Sequence, residues 1–360
     1  MNYEEYTTAT MTTRARVETL EPQTTQSPKR ARFFETAPST AFFLDAEDPA
    51  GVSTFLEKRR WLEPGESLVS VKVAGQGNMN YLVRVTTSLR TFILKQSRPW
   101  VEKYSEIAAP FDRAVVEARF YTRVAGTPAA EFMPKFHWVD EESRILCLED
   151  LGTLGDCSIL YEGVPLSERR QRQLYRFLSF LHANHSPLEN REMSRLNHFH
   201  IFVYPFQMEN NLDLDGITPG LQRLAGTIKT NDGLRERIHE LGQLYLSGGN
   251  SLLHGDFFPG SWLRTKYGVK VIDPEFGFTG PREFDLGVLS AHFQIAGVAF
   301  TAPVSETHYA HSHELDHRLV SSFAAVEILR RLLGVAQLPI TFDLDRKRSL
   351  IEHAVHELQR

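Results

Sequence analysis

Three acidic residues placed close together carry the clearest chemistry in this chain. Asp256 lies in His254-Gly255-Asp256, and seventeen residues later comes Asp273-Pro274-Glu275. The stretch from Ser251 to Asp285 reads as strand end, short loop, strand, short loop, helix start. Leu252-Leu253 runs into the first acidic residue, a turn follows at Pro259-Gly260, and β-rich Val269, Val271 and Ile272 run into the pair. Delivered this way, one carboxylate can position or deprotonate a hydroxyl while two others hold a divalent cation. Phosphoryl transfer needs both functions, because its catalysis is mostly positioning plus neutralisation of oxygen charge.

The rest of the chain must hold those residues in place. It has 360 residues, 42% of them hydrophobic, and a net charge of −5. That is enough for a sizeable core and favours two lobes over one small domain. The mild acidity gives no electrostatic case for nucleic acid or a membrane surface. No apolar run reaches the roughly 18 residues of a membrane span. The first twenty residues carry Glu4, Glu5 and Glu18 and have no apolar core of a secretory signal. Two cysteines, Cys147 and Cys157, imply no disulfide framework and suit a reducing compartment, so a cytoplasmic enzyme is expected.

Residues 1–45 are expected to form a flexible tail, since the Thr-, Ser- and Pro-rich opening is poor in aliphatic residues. The Lys29-Arg30-Ala31-Arg32 cluster reads as a solvated basic patch. Residues 46–148 form the sheet-rich part: a short helix over 48–60, then strands over 68–73, 81–85, 91–96, 136–139 and 145–148. The run Gly75-Gln76-Gly77-Asn78-Met79-Asn80 joins the first two strands as a hairpin turn. Its backbone N–H groups could cradle a phosphate, though most such hairpins are only turns. Lys95 follows three apolar residues on its strand, either as a solvated strand end or as a phosphate-binding lysine. The helix over 111–124 carries Val116, Phe120 and Val124 on one stripe, with Glu117 at its edge as a candidate partner of Lys95.

Residues 149–360 read as mostly helical. Helices are expected over 167–184, 230–246, 281–296, 313–334 and from 344 to about 358. Gly334 reads as the C′ glycine that ends the fourth of these. Asp285, in the first turn of its helix, can cap that helix or brace the acidic loop. His198 and His200 read as pocket wall or satisfied core; their spacing, with no carboxylate or cysteine close by, is poor for metal. Arg330 and Arg331 form a basic stripe near a helix end, as the macrodipole favours.

His254-Gly255-Asp256 followed by Asp273-Pro274-Glu275 resembles the aminoglycoside phosphotransferase branch of the kinase-like fold. Several segments in order are similar to methylthioribose kinases: Gly77-Asn78-Met79-Asn80, Ile93-Leu94-Lys95-Gln96, Asp112-Arg113 with Glu117-Ala118-Arg119, Leu148-Glu149-Asp150-Leu151, Gly260-Ser261 and the 327–334 helix. The resemblance implies an α+β, bilobal protein-kinase-like fold with a small antiparallel-sheet N-lobe and a larger, mostly helical C-lobe. It implies Asp256 as catalytic carboxylate, with Arg330 and Arg331 reaching toward it, and Asp273 and Glu275 as Mg²⁺ ligands. It further implies ATP contacts through Gly75, Gly77, Asn78, Lys95, Glu117, Glu149, Leu151 and Ser261. Ser261 stands where kinases carry a metal-binding asparagine. Phe257-Phe258 replaces that group's Leu-His, and Met193 to Pro205 fits it poorly. The implied activity is ATP- and Mg²⁺-dependent phosphorylation of a hydroxyl on a sugar-like acceptor, 5-methylthioribose first. An aminoglycoside, a choline-like alcohol or another metabolite is the alternative acceptor, and a catalytically silent nucleotide- or metabolite-binding protein is the alternative class. Phe257, Phe258 and Trp262 read either as an apolar wall for the acceptor or as core. The expected partner is the small-molecule acceptor; a homodimer is allowed for and not required.

Overall fold

The computed structural model describes residues 26–75, 79–298, 309–310, 314–338 and 340–360. The chain divides into two units. One holds the described residues up to Thr122 together with Pro134–Asp150; the other holds Arg123–Met133 together with Leu151–Arg360.

The first unit is built on a five-stranded antiparallel sheet. Its strands are β1 (Leu68–Val73), β2 (Tyr81–Thr87), β3 (Thr91–Gln96), β6 (Phe136–Asp140) and β7 (Ile145–Glu149), in the spatial order β1-β2-β3-β7-β6. Alternation decides the buried face: Val83, Val85, Phe92 and Leu94 pack with Ile145 and Cys147. Helix α2 (Pro49–Arg59) covers that face with Val52, Phe55 and Leu56. Asp48 caps it by accepting from the Gly51 N–H at 2.8 Å, and Pro49 sits at the first helical position. The sheet leads to helix α3 (Arg113–Val124) through a small hairpin, β4 (Trp100–Val101) and β5 (Tyr104–Ala108), that alternation alone did not reveal.

Residues 26–45 correct the expectation of a tail running to 45. Helix α1 (Gln26–Thr36) is ordered, and Phe33 is fully buried, edge-on to Phe43 at 5.4 Å and Phe111 at 5.5 Å. The basic cluster is only partly a solvated patch, with Arg30 and Ala31 exposed. Lys29 pairs with Glu102 at 2.8 Å, the Arg32 guanidinium lies 5.0 Å from the centre of a Trp100 ring, and Arg30 lies over Phe34. Aromatic residues, not aliphatic ones, supply the apolar area here, which is why a count of aliphatics failed. Residues 1–25 lie outside the described part.

The second unit is mainly helical: α4 (Glu168–His182), α5 (Arg191–His198), α6 (Leu221–Lys229), α7 (Asp232–Leu246), α8 (Glu283–Ala296), α9 (His317–Leu333) and α10 (Leu344–Gln359). Two short antiparallel pairs carry the acidic loops, β8 (Ser251–Leu253) with β11 (Phe278–Gly280) and β9 (Trp262–Thr265) with β10 (Gly268–Val271). A π turn over Phe199–Val203 extends α5 and packs on α9. Every residue of α9 from Ser322 to Leu333 is buried, the charged ones included. A helix enclosed all round is a core helix, so Arg330 and Arg331 are not a surface stripe.

Gly334 ends α9 in an extended conformation, not the left-handed one of a C′ glycine. Its smallness is needed for another reason. A Cβ there would lie 2.6 Å from the Arg330 carbonyl oxygen and 3.1 Å from Pro205. Among the described residues, no helix is long and apolar enough to cross a membrane.

Phe33→Ala should lower the unfolding free energy of the full chain by about 3 kcal/mol, as deletion of a buried aromatic ring does. Urea unfolding measures it; a change under about 0.5 kcal/mol, normal for an exposed site, would return these residues to a tail.

Candidate active site

In the first unit, Lys95 lies on the central strand β3 opposite Leu82 and Leu146, and is buried. Its ammonium meets Glu117 of α3 at 2.7 Å, and Glu117 is fully buried. A lone buried ammonium is costly, so the pair explains how a lysine ends an apolar strand. Gly75 holds φ +68° at the hairpin, where a Cβ would meet nothing within 4 Å. Gly77 and Asn78 lie outside the described residues.

The side chain that anchors this hairpin is one the sequence reading left without a role. Arg113, fully buried at the start of α3, donates to the Met79 carbonyl at 3.0 Å and to Asn80 Oδ1 at 3.0 Å. Its Asp112-Arg113 setting was noted, but nothing local distinguishes it from a surface helix arginine. Glu149 is committed inside the sheet: its N–H donates to the Lys135 carbonyl at 2.9 Å, and its carboxylate accepts from the Lys135 N–H at 3.0 Å. Its N–H is therefore not open to a base. Leu151 begins the second unit's main segment.

In the second unit the Asp256 loop hangs from one carboxylate. Asp285, fully buried in the first turn of α8, accepts from the His254 N–H at 2.7 Å and the Gly255 N–H at 3.0 Å. It also lies 3.2 Å from His182 Nε2. Of its two sequence-level options, bracing the loop is the one realised. Gly255 holds φ +84°, and a Cβ there would sit 2.2 Å from the Phe276 carbonyl oxygen. Both facts exclude the arginine that kinases carry at this place.

The two acidic loops are tied directly. His254 Nε2–H donates to the Ile272 carbonyl at 2.9 Å, and the Ile272 N–H donates to the Ser261 carbonyl at 3.0 Å. Ser261, buried, turns its hydroxyl onto the Asp256 carbonyl at 3.2 Å, so it closes the loop. Two buried asparagines at the ends of one helix pin both loops. Asn197 donates to the Gly255 carbonyl at 2.7 Å, and Asn190 donates to the Glu275 and Gly277 carbonyls, each at 3.0 Å. Sequence reasoning gave neither asparagine a role, because both roles depend on tertiary placement.

Asp256 itself is met by both arginines. Arg331 Nη2 donates to its Oδ1 at 3.0 Å, and Arg330 Nη1 lies 3.5 Å from the same oxygen. Among the described residues none donates to Oδ2. Both guanidiniums rest on Glu327, Arg331 Nε at 2.6 Å and Arg330 Nη1 at 2.9 Å. Burial opposes ionisation of Glu327, but Arg330, Arg331 and His292 overcome it and hold its carboxyl well below the usual range. Two carboxylates thus balance two guanidiniums, which makes this buried cluster tolerable.

Asp273 adopts a left-handed conformation, φ +61°, which Asp tolerates better than most residues, and Pro274 follows it. Glu275 is buried two residues on. Two hard carboxylate donors with no nitrogen or sulfur ligand fit Mg²⁺, which takes one or two protein carboxylates and completes its shell with water and phosphate. Among the described residues no cluster of three or more His, Cys, Asp or Glu could hold a metal on its own.

The aromatic wall is narrower than expected. Phe257 and Trp262 are fully buried, 5.2 Å apart, and Phe257 also stacks on Phe177 at 5.6 Å. They are core. Phe258 alone is half-buried, under the Arg331 guanidinium at 4.6 Å. For His198 and His200, among the described residues His198 Nε2 and His200 Nδ1 are buried atoms without a hydrogen-bond partner, and burial pushes both rings down to about 4.

The profile of a family described as "Phosphotransferase enzyme family" matches residues 70–318. A methylthioribose kinase of Exiguobacterium sibiricum is 27% identical over 250 residues, 64% of this chain and 62% of the relative, so the chain spans less than two thirds of that protein's length. One from Geobacillus sp. strain WCH70 is 25% identical over 340 residues, 81% of this chain and 83% of the relative. Among solved structures, a choline kinase of Streptococcus pneumoniae aligns with TM-score 0.45 and 15% identity, over 85% of this chain and 98% of that one.

Asp285→Asn keeps the shape but turns an amide N–H₂ toward a backbone N–H. Leaving a buried donor unpaired costs about 1–3 kcal/mol, and urea unfolding of the full chain should show that loss together with a fall in turnover. Unchanged stability would mean the loop is held by other contacts.

Proposed function

The chain belongs to the phosphotransferase enzyme family, and on that footing we propose that it transfers the γ-phosphoryl group of ATP to a hydroxyl of a sugar-like acceptor, 5-methylthioribose. The observation that carries the reading is the Asp256 carboxylate, with Oδ1 gripped by Arg331 and Oδ2 left without a described donor. A carboxylate so fixed can accept the acceptor's O–H at Oδ2, aim its oxygen at phosphorus, and take the proton as the P–O bond forms. The products are ADP, the phosphorylated acceptor and one proton.

Each remaining role follows from the chemistry of the side chain. Lys95, paired with Glu117, would contact α/β-phosphate oxygens as the strand lysine of phosphotransferases does. Gly75, Gly77 and Asn78 are assigned to cover the phosphates, and the Glu149-to-Leu151 backbone to meet the adenine edge. Asp273 and Glu275 would hold Mg²⁺, which when bound neutralises phosphate oxygen charge. Arg330 and Arg331 orient Asp256 and offer guanidinium donors to the transferring group or to acceptor hydroxyls. Phe258 supplies the apolar surface for a methylthio group. The named acceptor draws support from the methylthioribose kinases above, one of which aligns over most of this chain.

Coupled ATP consumption with Mg²⁺ tests the reading against 5-methylthioribose, ribose, choline and two aminoglycosides. Turnover is expected with 5-methylthioribose, and Asp256→Ala should cut it by about 10²–10⁴-fold with ATP binding retained. Turnover restricted to another acceptor would replace the named substrate. Nucleotide binding with no turnover on a wide panel of alcohols would favour a catalytically silent protein.

A further inference from the structure

Behind the arginine pair lie two side chains that the reaction above does not use. His292 of α8 is fully buried, with Nε2 3.2 Å from Glu327 Oε1 and Nδ1 2.7 Å from the Tyr161 hydroxyl. An ionised Glu327 can only accept, so Nε2 carries the ring proton. Nδ1 is then a lone pair, and Tyr161 must donate to it. One tautomer satisfies every group: phenol to imidazole, imidazole to carboxylate.

The same Glu327 oxygen that accepts from His292 also accepts from Arg331 Nε, and its other oxygen takes Arg330. The groups facing His292 are Tyr161 from the 3₁₀ turn Cys157–Glu162, Glu327 and Arg331 from α9, and Asp256 and Phe258 from the acidic loop. Burial, partly opposed by Glu327, pushes His292 down to about 4, and burial raises the Tyr161 phenol. The chain of donors therefore stays uncharged through the neutral range. Arginine is rotamer-rich, and an oxygen fixed on one side leaves a guanidinium one direction in which to point.

We propose that Tyr161 and His292 are positioning residues for phosphoryl transfer: through a single imidazole tautomer they orient Glu327, which aims Arg331 and so fixes the Asp256 carboxylate. This rests on the reading of Asp256 given above. Outer groups that lock an imidazole tautomer play the same part behind metal ligands.

Tyr161→Phe removes one oxygen and leaves the Nδ1 side of the ring unheld, while Glu327 keeps the proton on Nε2. In the full chain, ¹⁵N NMR of the imidazoles should show His292 as Nε2–H in the wild type and in Tyr161→Phe, since Glu327 sets the tautomer, with the Nδ1 signal shifted in the variant by loss of the phenol's hydrogen bond. Turnover should fall about tenfold, as loss of one buried hydrogen bond allows, with KM for ATP unchanged. In an Arg331→Ala background the same substitution should move kcat by less than about twofold, since coupled sites are non-additive. An equal fall in both backgrounds, or an unchanged kcat in the single variant, overturns the proposal. Should Tyr161→Phe fail to fold, His292→Gln takes its place in the cycle under the same criteria. If no acceptor is turned over, the phosphoryl-transfer reading fails separately. The imidazole still decides the relay: an Nε2–H ring whose Nδ1 signal shifts in Tyr161→Phe supports it, and Nδ1–H in the wild type or an Nδ1 signal that does not move sinks it.

Discussion

The second unit depends on a carboxylate that never meets solvent. Asp285 has no place in the chemistry, yet it takes the His254 and Gly255 amides and so determines where the Asp256 backbone runs. A loop that must stay both irregular and buried leaves backbone donors with no ladder to join, and a buried orphan amide is expensive. An aspartate in a helix's first turn resolves this cheaply, because the helix N-terminus already favours negative charge there.

Asp256 is thus held twice, by its backbone and by its carboxylate, and both holds are built alike. Asp285 meets His182, whose Nδ1 lies 2.8 Å from the Tyr309 hydroxyl; Glu327 meets His292, whose Nδ1 meets Tyr161. In each case a buried carboxyl group is met by an imidazole whose other nitrogen meets a phenol. The repetition has a physical reason. A buried carboxylate needs donors on several sides, and His292, whose ionisation burial opposes, supplies one to Glu327 without adding a charge to a cluster already balanced.

Much of this was legible in the sequence, and the rest was not for identifiable reasons. Strands β1 and β3 were expected with the residues they have, since alternation is local. Lys95 was suspected because a charge ending an apolar strand violates a local rule. Asp256, Asp273 and Glu275 announced themselves by type and spacing. Arg113, Asn190, His292 and Tyr161 did not, because their partners lie tens of residues away and nothing nearby marks them as buried. The ordering of residues 26–45 was missed because cation–π and edge-on ring contacts replaced the aliphatic pattern on which the reading relied. Gly334 was assigned the wrong reason: its place at a helix end suggested a left-handed cap, while the structure uses its lack of a side chain beside Pro205.

Two phenylalanines in succession after Asp256 have opposite environments. Phe257 is sealed against Phe177 and Trp262, and Phe258 remains half-buried beneath Arg331. Gly255 before them cannot gain a side chain without striking Phe276. Ser261 beyond them is bound to the loop's own carbonyl. Along this loop, inheritance is therefore free to vary at one aromatic position while the rest is locked by folding. On this loop, packing constrains an aromatic side chain least at residue 258.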